Sequence, residues 1–357
     1  MDNPPGDPVL AMPYPSSWVD RLIAWIAGLP GPAWVFYVLL VAVLILISQP
    51  LRWLDGSLPV GTFDLARLAE VPFAIYFLAL MHRLNSTARQ SLQAFRPALA
   101  VSDSEFARLE YELTVLPRTT GIVCLLAGIL FAAISVSDSP AGYGVGGDAS
   151  AVTSVYSVLF LAVTMTFYVL FLVHTVRQLR LVNRIHRMAT NINLFHRIPV
   201  YAFSALTIRS AIGIIIVVYY NTYLTYSLQI FGPVPGMSAF DISTLTLVLL
   251  IAAASFVLPL NGMHRRLVQE KEKLIGEAER RFEAILARLH ERVDQDNFER
   301  MDDLNKALAS LVIEREALAK ISTWPWRPET LRGLLTLIAL PVLLWLVTSY
   351  LGRLLGL

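Results

Sequence analysis

The residues best equipped for chemistry in this chain are six histidines, two runs of arginine and a few polar side chains set inside apolar stretches. His82, His174, His186, His196, His264 and His290 are groups that can bind a metal or sense protons near neutral pH. Their spacings match no ligand motif, so contact with lipid headgroups is the reading adopted for them. Arg177, Arg180, Arg184, Arg187 and Arg197 crowd one loop, where they either contact anionic lipid or only mark a cytoplasmic side. The chain contains no Walker loop, no GxGxxG before a helix, no HExxH and no CxxC. No Ser/His/Asp arrangement is legible. No reaction, cofactor or metal is therefore expected, and Gly144-Val-Gly-Gly147 reads as a flexible loop.

A second set of polar groups stands inside hydrophobic runs. Tyr220, Asn221, Tyr223 and Thr244 fall in the outer halves of two apolar segments. Polar groups in lipid need partners. They either line an outer cavity for a small-molecule ligand or knit helices together. Trp324-Pro-Trp-Arg-Pro328 is a third feature. Its prolines interrupt a helix and its tryptophans suit the headgroup level, so Trp324, Pro325, Trp326 and Pro328 are expected to form either a hinge or a simple re-entry turn.

The elements that must position these groups are membrane helices. The 357 residues are 55% hydrophobic and 16% charged, against about 45–50% and 25% in a soluble domain. Mean hydropathy is +0.58. A net charge of +2 gives no field for nucleic acid, and one cysteine excludes an internal disulfide framework. The expected partner is a lipid bilayer, whose hydrocarbon core takes about 20 apolar residues per helix. Six segments meet or nearly meet that length: 33–48, 119–136, 153–174, 210–229, 239–258 and 333–351. A seventh, 71–81, is short, with Asp64, Arg67 and Glu70 before it and His82 and Arg83 after it. Either its helix begins near Val60 and carries charge into the outer leaflet, or the bilayer is thin there.

Arginine fixes the orientation. Arg83, Arg89, Arg96, Arg108 and Arg118 follow span 2, and the run 177–197 follows span 4. The loops 137–152 and 230–238 contain no Lys or Arg. Seven spans then place the N-terminus in the cytoplasm and the C-terminus outside, in an inner or plasma membrane. Asp2, Asp7 and seven prolines in the first 32 residues argue against a signal peptide. Trp18, Leu22, Trp25, Ile26 and Leu29 recur at helical spacing and predict an interfacial helix.

Four regions follow: an N-terminal segment (1–32), six membrane helices with cytosolic extensions (33–262), a charged hairpin (263–322), and a joint with the last span (323–357). The hairpin holds 12 of the 29 basic and 13 of the 27 acidic residues. Leu274, Ala278, Phe282, Ile285, Leu289 and Val293 form one coiled-coil-like seam, and Met301, Leu304, Leu308, Leu311 and Leu318 another. Asp294-Gln-Asp-Asn297 is the turn between them. Ser102-Asp-Ser-Glu105 predicts a capping box opening a helix with Phe106, Leu109, Leu113 and Leu116 on one face, ended by Pro117. The 192–195 stretch reads as a helix exit and Pro199 as a fresh start.

This order of features resembles the seven-transmembrane ion channels that include insect odorant and gustatory receptors, and the texture resembles a bacterial multi-pass membrane protein. The resemblance implies an all-α bundle, a homo-oligomer (a tetramer), and a last span lining an ion pore. Thr336, Leu340, Leu344 and Thr348 are the positions it assigns to that lining. The family's Thr-Tyr…Gln-Phe pattern is absent, and Thr348-Ser349-Tyr350 stands in the last span. The alternative is a non-conducting membrane sensor or scaffold whose hairpin binds a cytosolic protein.

Overall fold

The computed structural model describes residues 12–63, 65–138, 150–190, 197–222, 239–295, 299–326 and 331–339, with single positions between them. Regular structure among these residues is helical throughout. The elements are α1 (Trp18–Ala27), α2 (Ala33–Leu54), α3 (Leu65–Phe95), α4 (Asp103–Thr114), α5 (Arg118–Asp138), α6 (Ala151–Met188), α7 (Arg197–Val200), α8 (Ser204–Thr222), α9 (Ala239–Asp294) and α10 (Met301–Ala319). A last helix, α11, covers 331–339.

Three of these helices, α2, α5 and α6, are long and apolar enough to cross a membrane, and α8 holds a shorter apolar run, Ser204–Val217. Their outer surfaces are apolar: Leu46 on α2, Leu126 and Phe131 on α5, and Leu159 on α6 all stand exposed. Large contiguous apolar patches are rare on soluble monomers and mark protein or membrane contact surfaces. The α3 helix begins at Leu65, with Pro72 inside it. Asp64 and the side chain of Arg67 lie outside the described residues.

α3 runs through the middle of the bundle. Leu84, Ala88, Leu92 and Phe95 recur every three or four residues and are fully buried, as a helix packed on several sides requires. α5 and α6 cross closely because Gly128 faces Thr166; a Cβ at Gly128 would overlap the Thr166 backbone. Small residues permit this kind of backbone approach between apolar helices.

The capping box at α4 forms: the Ser102 hydroxyl accepts from the Glu105 N–H, and the Glu105 carboxylate accepts from the Ser102 N–H. Phe106, Leu109, Leu113 and Leu116 are buried on the face the spacing predicts. α1 forms where the helical spacing places it, at Trp18–Ala27. Its buried stripe is Val19, Ile23 and Ile26, and Trp25 is 62% exposed. Tertiary contacts set this face. The Asp20 carboxylate accepts from the Leu116 N–H at 2.9 Å, and the Trp18 indole donates to the Gly121 carbonyl at 3.1 Å. Those two bonds fasten α1 to the start of α5, and Trp18 and Leu22 pack against the same core.

α9 is one helix of 56 residues with Pro259 inside it; at 1.5 Å per residue it is about 84 Å long. α10 lies antiparallel on its second half. Arg281 meets Glu314, Glu279 meets Arg315, and the Lys271 ammonium donates to the Ala319 and Ile321 carbonyls at 2.8 Å each. Along this seam Ala278 and Leu318 are buried, and Leu274, Ile285, Leu304 and Leu308 are half-buried. Val293, at the tip, is exposed. α9 ends at Asp294, and Arg300 enters α10 from the left-handed region at φ 56°. The ion pairs here are solvent-exposed and contribute little each. The seam and the Lys271 cap carry the hairpin.

Candidate functional site

Two constellations emerge from this packing. The first is the joint that follows α10. The His264 ring on α9 stacks on Trp324 with centroids 3.9 Å apart and planes 6° from parallel. Trp324 stacks in turn on Trp326 at 4.3 Å, and Trp326 packs against Phe256 at 5.3 Å. The His264 Nδ1 lies 3.0 Å from the Thr323 carbonyl. Phe256 and His264 sit eight residues apart on α9, about two turns, so they form one face that receives both indoles. Pro325, between the tryptophans, is buried. Pro325 has no N–H for a helix and holds the chain in the turn that brings Trp324 and Trp326 face to face. Beyond the joint, Leu334 of α11 is buried and Thr336 is exposed. Arg327 and Pro328 lie outside the described residues, as do Leu340, Leu344 and Thr348.

The second constellation is a buried polar knot joining the N-terminal segment, α3, α4 and α6. The Arg177 guanidinium lies over the Tyr14 ring at 5.1 Å and donates to the Tyr14 hydroxyl at 2.6 Å. Tyr14 donates to the Val115 carbonyl, and Tyr111 donates to the Tyr14 carbonyl. Burial pushes the Tyr14 hydroxyl up to about 12, against the pull of Arg177. Burial also raises the Asp20 carboxyl above its ordinary value, while bonds from Ser17 and the Leu116 N–H pull the other way. Deeper in, the His174 Nε2 meets the Asn85 Oδ1 at 2.7 Å, and Gln178 donates to the Leu113 carbonyl at 3.1 Å. These groups lock α6 to α3 and α4 with directional contacts, which fix register in a way apolar packing does not.

A third polar contact ties two helix ends. Asp55, just past α2, accepts from Thr153, from Ser150 at 2.9 Å and from the Ser57 N–H at 2.9 Å. These bonds, with Thr153 the largest, hold its carboxyl well below the usual range. They bind the end of α2 to the start of α6.

Two of the histidines are not the headgroup anchors that their positions suggest. His174 and His186 are buried in helix contacts. His186 sits edge-on between Phe95 and Phe203, with its Nδ1 3.1 Å from the Pro259 carbonyl. His82 pairs with the Tyr37 hydroxyl at 2.9 Å. His264 belongs to the joint, His290 is exposed, and His196 lies outside the described residues. Among the described residues no cluster of three metal-ligating side chains occurs. Tyr220 donates to the Ala69 carbonyl at 2.8 Å and packs on Phe73 at 4.9 Å, a tie between α8 and α3. Tyr223 and the side chains of Asn221 and Thr244 lie outside the described residues.

Sequence reasoning missed Asp20, Asn85, Gln178, Lys271 and Phe256. The available signal was a polar residue on an otherwise apolar helical face, as with His174 and Gln178 four apart on α6. What each residue would meet depended on a different helix.

Among the described residues, the fold and these contacts define an all-helical architecture with three apolar helices of membrane-crossing length. No protein-family model, curated protein or solved structure matches the chain. The functional reading rests on its own geometry.

Proposed function

We propose that this chain is a seven-span membrane protein, with its N-terminus and hairpin in the cytoplasm, that assembles as a homo-oligomer and conducts ions under control of the hairpin. The observation that carries the reading is mechanical. α9 is unbroken from Ala239 to Asp294, and the segment leading to α11 is fastened to α9 through the stack His264, Trp324, Trp326 and Phe256. Movement of the hairpin reaches the last helix through a handful of aromatic contacts. In this reading Thr336, Leu340, Leu344 and Thr348 face a central pathway. Leu335 and Thr336 stand exposed on α11, Thr336 on the side assigned to that pathway and Leu335 on a side that a neighbouring copy would cover. No reaction and no cofactor is assigned.

Recording from purified protein in planar bilayers, with native mass spectrometry of the same sample, tests this. Conductance from a tetrameric particle is the expected result. Silence across ionic conditions together with a monomer overturns it. The orientation is tested by cysteines at Gly146 or His290, in a chain whose Cys124 is replaced, labelled with an impermeant reagent from outside. Labelling at 290 and protection at 146 would reverse the topology.

A second reading, a sensor or scaffold that does not conduct, is favoured by one observation. Ile313 on α10 is 68% exposed and Val312 beside it 44%, an apolar patch on a charged hairpin that a protein partner could cover. An ion-silent protein whose hairpin loses a cytosolic partner on Ile313→Asp would support it.

A further inference from the structure

α6 changes character along one face. Leu172, Val173 and Val176 come first, then Arg177, Arg180 and Arg184. Positions 173, 177, 180 and 184 are spaced four, three and four, so they form one stripe along the helix. That stripe borders an open groove of about 580 Å³, with Glu112 of α4 on its other side. Val173 and Val176 are exposed apolar side chains, and Arg180 and Arg184 are exposed just beyond them.

The arginines are held unequally. Arg177 is fixed by the Tyr14 ring and hydroxyl, and its buried Nε has no partner among the described residues. The Arg184 guanidinium lies 3.7 Å from Glu112, whose carboxylate is already bonded to Arg108 at 3.0 Å. No ion pair involves Arg180 among the described residues. Three guanidinium groups thus line the groove with one carboxylate, Glu112. Arg177 and Arg180 are about 4.5 Å apart along the helix axis, and Arg180 and Arg184 about 6 Å.

The geometry points to a site for an anionic phospholipid: the phosphate between Arg177, Arg180 and Arg184, one acyl chain along Val176, Val173 and Leu172. Two features select a lipid over a free anion. The groove opens to the surface, and its basic end runs directly into an exposed apolar strip. Guanidinium forks match phosphate oxygens in pairs, and the neighbouring valines and leucine match a chain that leaves the headgroup at the same level. This inference needs α6 to cross a bilayer and does not depend on whether the protein conducts.

The test uses the full-length protein in nanodiscs of phosphatidylcholine doped with phosphatidylglycerol. Retained lipid is counted by native mass spectrometry after release, and thermal unfolding is followed with each lipid and with inorganic phosphate. Arg180→Gln with Arg184→Gln leaves the buried Arg177 knot intact. Each charge-assisted contact from a guanidinium to the phosphate is worth at least about a tenfold change in occupancy, so the pair should lower phosphatidylglycerol retention by roughly 100-fold. Arg83→Gln with Arg89→Gln removes the same charge from α3 and should change it less than twofold. Equal losses in the two double variants would mean a diffuse basic surface and overturn the site. Equal retention of phosphatidylcholine and phosphatidylglycerol by the wild type would also overturn it. Stabilisation by millimolar inorganic phosphate as large as that by phosphatidylglycerol would make it a free-anion site and refute the lipid. A protein that enters nanodiscs yet shows no lipid preference loses this site while keeping its membrane assignment.

Discussion

Trp324→Ala tests the joint most directly. The indole lies between two rings, His264 at 3.9 Å and Trp326 at 4.3 Å, both near parallel. An aromatic pair contributes about 0.5–1.5 kcal/mol beyond area burial, so removing two pairs costs about 1–3 kcal/mol. The loss is local, because the α9–α10 seam is anchored independently by Leu318, Ala278 and the Lys271 cap. Opening of the joint should therefore become about 5- to 150-fold more frequent while the rest of the hairpin is unchanged. Hydrogen–deuterium exchange of the full-length protein reads this. Peptides covering 319–326 should exchange faster by that factor, and peptides from 275–290 should match the wild type. Trp324→Phe keeps a ring between His264 and Trp326 and should restore most of the protection. Unchanged exchange at 319–326 would show that the stack holds nothing. Uniform acceleration across the hairpin would show that it is not a separate joint. Either result defeats the reasoning.

Three further outcomes are expected. Gly128→Ala should lower the melting temperature in detergent by forcing α5 from α6, at about 1–3 kcal/mol for an overpacked contact; an unchanged melting temperature would mean that the crossing yields freely. Asp20 and Asp55 should give opposite pH slopes. The folded state raises the Asp20 pKa, so wild-type stability relative to Asp20→Asn is full below the ordinary value of about 3.9 and declines as pH rises above it. The folded state lowers the Asp55 pKa, so wild type exceeds Asp55→Asn above about 3.9 and loses that advantage as pH falls further; parallel slopes in chemical unfolding would contradict one of the two environments, the one whose sign is reversed. Pro325→Ala with Pro328→Ala should let the chain continue as a helix, which would narrow the distance distribution between spin labels on Ala317 and Leu335, both exposed; an unaltered width would mean that the joint is no hinge.

Helix type and the faces of self-contained helices were legible in the sequence. The capping box at Ser102 and the face Phe106, Leu109, Leu113 and Leu116 depend on contacts within four residues, so spacing alone specified them. The hairpin seam was legible for the same reason, since two amphipathic arms joined by a short turn have one way to bury their stripes. The overall all-helical character and the long apolar stretches followed from composition.

Tertiary structure decided whatever depended on a partner distant in the chain. The spacing in α1 named Trp18, Leu22, Trp25, Ile26 and Leu29; that Val19 and Ile23 join Ile26 in the core, and that Asp20 accepts from the Leu116 N–H, was decided by the fold. His186 read as a headgroup anchor because the histidine spacings match no ligand motif; Phe95, Phe203 and Pro259, all more than 15 residues away, enclose it. The same holds for the stack on α9. Trp324 and Trp326 announced themselves as interface residues, but their partners Phe256 and His264 precede them by some 60–70 residues and carry no local sign of it. Hydrophobic period and capping chemistry are local quantities that a sequence states outright. The pairing of a buried polar or aromatic group is set by which helix face the folded chain brings against it.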